Sequence, residues 1–164
     1  MFRAIKLWFT DRNYYYQRKR YMRLQKKYRS EMKKQSKEFC PWSGYYMHEM
    51  IKTMLEFYEK TYSAGDCCWS EETRTQKIAG QLKEALDYAN KLEKIDDMQC
   101  SDMIPLAEEH GEEFEAYCAE IDSRVDYEGY SLRHRGYVAY EFLEKKYTSE
   151  LYTIIGKHIW EWCD

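Results

Sequence analysis

"SEETRTQKIAGQLKEALDYANKLEKID", residues 70–96, decides the fold class. Ile78, Leu82, Ala85, Ala89 and Leu92 recur at alternating steps of four and three. At about 100° per residue these positions share one stripe of an α-helix, as a bundle helix with one buried face requires. Ser70 stands where a side-chain cap is needed, and Glu71 and Glu72 put negative charge at the positive end of the helix dipole. The helix is expected to end near Asp96.

Toward the C-terminus, residues 97–103 read as a loop. A fourth helix follows with Phe114, Tyr117, Cys118 and Ile121 on one face, its first part weakened by Gly111. "DYEGY" is a turn and Ser131 can cap the final segment. There Tyr140, Leu143, Tyr147, Leu151, Ile154, His158 and Trp162 keep helical spacing. This is one helix of about thirty residues, or two joined near Thr148.

Toward the N-terminus, "SAGDCCW" is a loop and "FCPWSG" a break, because the residue before Pro41 is disfavoured in helix. Between them a helix is expected over 44–62, capped by Ser43, with Met47, Met50, Met54, Phe57 or Tyr58, and Tyr62 facing inward. Residues 11–38 read as one long amphipathic helix. Tyr14, Tyr21, Leu24, Tyr28 and Met32 fall on one side; Arg12, Lys19, Arg23, Lys26, Lys33 and Lys37 fall opposite. Its length is roughly 42 Å, and Asp11 or Asn13 stands where a cap would start it. With two prolines and no β-branched runs, the chain is expected to be all-α: a single-domain bundle of five or six helices over residues 1–164.

The net charge of −3 conceals a split. Residues 1–38 hold thirteen Lys/Arg against three Asp/Glu, a balance of +10; residues 39–164 hold thirteen against twenty-six, a balance of −13. A basic N-terminal helix therefore precedes an acidic helical body. Such asymmetry marks a charged interaction surface, or two parts that attract each other.

The six cysteines include no CxxC pair and no Cys–His zinc spacing, and no secretory signal is recognisable, so free thiols in a reducing cytoplasm are expected. No stretch approaches the ~20 apolar residues of a membrane span. The di-iron signature Glu-x-x-His is missing: Tyr45, Ala107, Ser131 and Ile155 stand three residues before the four histidines. "HEMIK" opens like a zincin site but has Lys52 where a second His is needed. No phosphate loop, dinucleotide fingerprint or nucleophile elbow occurs, and no cofactor is implied.

Three constellations remain. In "LAEEHGEEFEAY", 106–117, Glu109, His110 and Glu113 lie within one turn. Clustered carboxylates raise one another's pKa or bind a hard cation, although a solvated acidic face is the commoner outcome. In "SLRHRGY", 131–137, Arg133, His134 and Arg135 stand in a first helical turn, where an anion or a phosphate-bearing ligand is favoured; pairing with the chain's own Glu residues competes. Finally, Tyr15 and Tyr16 fall on the cationic side of the first helix, beside Arg12, Lys19, Arg23 and Lys26. Rings among cations stack on bases while the cations track phosphates, and the same mixture makes a protein-binding hot spot.

"FRAIKLWFTDRNYYY", then "MIKTMLEFYEK", then Trp69 with "KIAGQLKEALDYANKLEKIDD", resembles a group of small uncharacterised proteins of tailed bacteriophages. The resemblance covers residues 3–97, with Asn13 and extra tyrosines as departures, and implies no catalytic residue. It implies an anti-defence or other accessory role in the cytoplasm of a bacterial host: a non-enzymatic inhibitor that binds a host macromolecule or an immune nucleotide signal. Direct nucleic-acid binding through residues 12–37 is the second expectation. An enzyme using Glu109, His110 and Glu113 is the third.

Overall fold

The structure, a computed structural model, describes residues 2–38, 44–64, 72–124 and 132–163, with side chains described at 15–37, 47–64, 73–121 and 135–162. The fold is an all-α bundle. Six helices occupy the described residues: α1 (Phe2–Glu38), α2 (Gly44–Ser63), α3 (Glu72–Asp96), α4 (Cys100–Glu108), α5 (Glu112–Arg124) and α6 (Leu132–Cys163). The candidate caps Ser43, Ser70 and Ser131 lie outside the described residues.

Two compact units divide the chain. The first holds α1, α2, α3 as far as Leu86, and α6 from Gly156; the second runs from Asp87 to Ile155.

In the first unit, α1 is longer than its apolar pattern announces. It has 37 residues, about 56 Å at 1.5 Å per residue, and runs straight through Asp11 and Asn13, which therefore do not cap it. The reason is compositional: residues 2–38 contain neither Gly nor Pro, so nothing stops the helix extending upstream. Its Tyr21 and Tyr28 rings lie 5.9 and 5.6 Å from the ring of Phe57 on α2. Gln35 donates to Thr53 at 2.8 Å.

The second helix departs from the expected methionine stripe. Met47 and Met54 are exposed, whereas Thr53, Leu55, Thr61 and Tyr62 are buried. Two stripes are covered instead of one. Thr53 and Phe57 face α1, Tyr62 reaches α6, and the two methionines fall in the angular gap between. The threonines tolerate burial because each hydroxyl donates to the carbonyl one turn back, Thr53 to Glu49 and Thr61 to Phe57.

On α3 every expected core position, Ile78, Leu82, Ala85, Ala89 and Leu92, is buried, and Ile95 extends the stripe. At the end of α6 the Trp162 indole donates to Gln81 at 3.1 Å, and the Tyr62 hydroxyl donates to the Trp162 carbonyl at 2.8 Å. His158 sits in this apolar stripe with its Nδ1 3.0 Å from the Gln81 amide nitrogen, a satisfied core histidine.

In the second unit the expected 97–103 loop shrinks to three residues. Cys100–Glu108 is helical, with Pro105 inside. The break comes later, at Gly111, whose φ of +52° is a left-handed conformation that terminates α4 and lets α5 start at Glu112. Phe114 at the head of α5 is fully buried, 5.2 Å from the ring of Phe142. Of the two readings of the last segment, the single helix is correct: α6 spans 32 residues through Thr148. At Gly136 a Cβ would stand 2.6 Å from the Cys100 carbonyl oxygen, so glycine is what permits this approach of α6 to α4.

Candidate functional site: the open face of α1

The contacts with Phe57, Glu56 and Thr53 fix which side of α1 is covered. Tyr28, 4% exposed, is its most buried described residue. Its hydroxyl donates to Glu56 at 3.2 Å and accepts from Lys60 at 2.6 Å, while Lys27 and Lys60 each approach the ring within 5.3 Å. Helical geometry then places Lys19, Arg23 and Lys26 on the far side, about 180° from Tyr28, and all three are exposed.

Tyr15 and Tyr16 share that side at 59% and 54% exposure, large values for rings that could pack elsewhere. Their centroids are 5.8 Å apart, edge to face, and Lys19 stands 5.8 Å over the Tyr15 ring. A cation near a ring face is attracted by its quadrupole, so Lys19 restrains Tyr15 in place. A shallow depression runs along the face, lined by Tyr15, Lys19, Met22, Arg23, Lys26 and Arg29 among others. Met22 is 57% exposed there.

Some cations of α1 are engaged within the chain. Arg20 donates to the Ala64 carbonyl at 2.8 Å, and Lys27 lies 3.7 Å from Glu31. Among the described residues no carboxylate pairs with Arg18, Lys19, Arg23, Lys26 or Arg29. Of the residues singled out in the sequence, Tyr15, Tyr16, Lys19, Arg23 and Lys26 thus share one open surface. Arg12 lies within α1, but its side chain lies outside the described residues. Arg18, Met22 and Arg29 belong to the same surface and were missed. All three lie within about 100° of Lys19 on the helical wheel, where the sequence already held the signal.

In each of the other two constellations one described residue, Arg135 or Glu113, is paired within the chain. Arg135 donates to Glu108 at 3.0 Å and to Glu115 at 3.3 Å, its guanidinium 5.8 Å from the centre of the Phe114 ring. Its Nη2 is shared by two of the chain's own carboxylates. Arg133 and His134 start α6 beside it, with side chains outside the described residues.

Around Gly111, Lys146 hydrogen-bonds the Glu113 carboxylate and holds its pKa below the ordinary carboxylate range. The His110 ring lies 5.6 Å from Phe142 and 6.3 Å from Tyr147. Burial, followed by the charge of Lys146, pushes its pKa down. Glu109 is exposed. Among the described residues no three His, Cys, Asp or Glu side chains are placed to hold a metal ion, and no helix is long and apolar enough to cross a membrane.

Comparison with protein-family models, with curated proteins and with solved structures finds no match to this chain.

Proposed function

We propose that this chain is a non-enzymatic accessory protein of a bacteriophage. It acts in the bacterial cytoplasm by binding, and so blocking, a host macromolecule or an immune nucleotide signal through the open face of α1. The observation that carries the reading is the unpaired cation set beside exposed tyrosines: Lys19, Arg23 and Lys26 have no carboxylate partner among the described residues, and Tyr15 and Tyr16 are more than half exposed. Exposed rings among cations offer both the apolar anchor and the electrostatic steering that recognition of an anionic partner needs. The likeness of residues 3–97 to small phage proteins supports the biological setting.

Affinity capture from a bacterial lysate tests this, comparing the wild type with a K19E/R23E/K26E variant whose helix content is checked by circular dichroism. The expected result is bound material that the folded, charge-reversed variant loses. Equal capture by both proteins overturns the reading.

A further inference from the structure

Resting on the reading that the open face of α1 is the binding surface, we infer that its ligand is single-stranded nucleic acid. Charge density is the first ground. From Arg18 to Lys37, α1 holds ten Lys/Arg and one acidic residue, Glu31. Arg20 and Lys27 are engaged within the chain, which leaves eight exposed cations. Along about 29 Å of helix that is one positive charge per ~3.6 Å. A nucleic-acid strand in a duplex carries one negative charge per ~3.4 Å. Acidic protein surfaces dilute their carboxylates with cations, as residues 39–164 do here with thirteen Lys/Arg among twenty-six Asp/Glu. A polyphosphate backbone matches α1; an acidic protein face of ordinary composition does not.

The second ground is apolar surface on the same face. Tyr15, Tyr16 and Met22 are each more than half exposed, and Tyr15 and Met22 line the depression that Lys19, Arg23, Lys26 and Arg29 rim. Unpaired bases stack on such rings while the surrounding cations follow the phosphates. A duplex keeps its base faces inside its own stack and offers the tyrosines nothing to stack on. The face therefore selects the single strand, with Tyr15 as stacking platform and the rim cations tracking the backbone.

The test is fluorescence anisotropy of the full chain with a labelled single-stranded oligonucleotide of about twenty nucleotides, as DNA and as RNA, against a hairpin duplex of the same composition. The single strand should bind more tightly than the duplex. If five cations neutralise phosphates, single-strand affinity should fall about 100-fold between 50 and 200 mM salt. Tyr15→Ala should weaken single-strand binding about tenfold. K19E/R23E/K26E should weaken it at least 100-fold, and the wild-type salt slope with Tyr15→Ala keeps the inference testable should that variant unfold. Equal or tighter binding of the duplex overturns the inference, as does an unchanged Tyr15→Ala. If no oligonucleotide binds, yet the wild type alone retains a protein from nuclease-treated lysate, the nucleic-acid inference falls and the open-face reading stands. If folded K19E/R23E/K26E binds the oligonucleotide like the wild type, both fall.

Discussion

The Lys60 ammonium donates a 2.6 Å hydrogen bond to the Tyr28 hydroxyl, joining α2 to the most buried described residue of α1. Because that oxygen also donates to Glu56, the phenol is held from both sides, and the face of α1 opposite Tyr28 is turned outward as a consequence. The acceptor role of Tyr28 is the leading cause that raises the Lys60 pKa above its ordinary value. A raised ammonium pKa stabilises the fold at all pH values below the ordinary lysine range, and the contribution is lost only as pH climbs above it.

Tyr28 therefore supplies a first prediction. Tyr28→Phe should cost about 1 kcal/mol, the net worth of a typical hydrogen bond, whereas Tyr28→Ala should cost about 3–5 kcal/mol through the cavity beside Phe57. Urea denaturation separates the two: an unchanged Tyr28→Phe would show that the hydroxyl network contributes nothing, and equal losses would show that the ring does not.

Charge reversal on the opposite face should behave differently. K19E/R23E/K26E should change unfolding free energy by less than about 1 kcal/mol, since exposed charges without partners contribute little. Early unfolding of this variant in thermal melts would reveal that the stripe serves the chain's own acidic residues.

Two glycines make opposite kinds of demand. Gly136→Ala should cost about 1–3 kcal/mol, because its methyl group meets the Cys100 backbone, which cannot rotate away. Gly111→Ala has open space around it and should cost about 1–2 kcal/mol through its left-handed backbone alone. Gly111→Asn should recover part of that loss, since Asn tolerates the left-handed region, whereas Gly136→Asn should be worse than Gly136→Ala. Calorimetric melting temperatures in the reverse order would contradict both assignments.

The His110 imidazole carries a pH dependence. Its folded pKa lies below the ordinary value, first because of burial, so the unfolded chain takes up the proton earlier as pH falls. Stability should accordingly decline from about pH 7 toward pH 5. The Glu113 carboxylate, depressed by Lys146, contributes above the ordinary carboxylate range, and its contribution is lost only at lower pH. His110→Gln should flatten the upper part of the profile and leave the acidic limb. An unchanged slope between pH 7 and 5 assigns that dependence to another group.

Much of this architecture is written in periodicity. The 4-3-4-3 spacing of Ile78, Leu82, Ala85, Ala89 and Leu92 needs only one covered face, so α3 reads correctly from the chain alone. Its neighbour α2 does not, because two covered sides leave Met47 and Met54 in a gap that a one-stripe wheel cannot anticipate. The start of α1 is hidden for the opposite reason. Asp11 and Asn13 are good caps, yet nothing upstream interrupts the helix, and a polar residue caps only where a helix begins. Within the candidate site, the cations and tyrosines of α1 are local and legible. The partners of Arg135 are not, since Glu108 and Glu115 stand 27 and 20 residues away.

The hydrogen bond from Tyr62 to the Trp162 carbonyl closes a span of 100 residues. A ribosome delivers Tyr62 long before Trp162, so this bond waits for the last turn of α6 to emerge, whereas residues 87–155 form a compact unit of their own. A chain truncated after Ile155 should accordingly keep the segment around Phe142 protected from protease while leaving the Tyr62 end of α2 more readily cleaved. The clasp between Tyr62 and Trp162 is thus a late contact of its unit, whereas the hold of Phe57 and Lys60 on Tyr28 needs only residues 28–60.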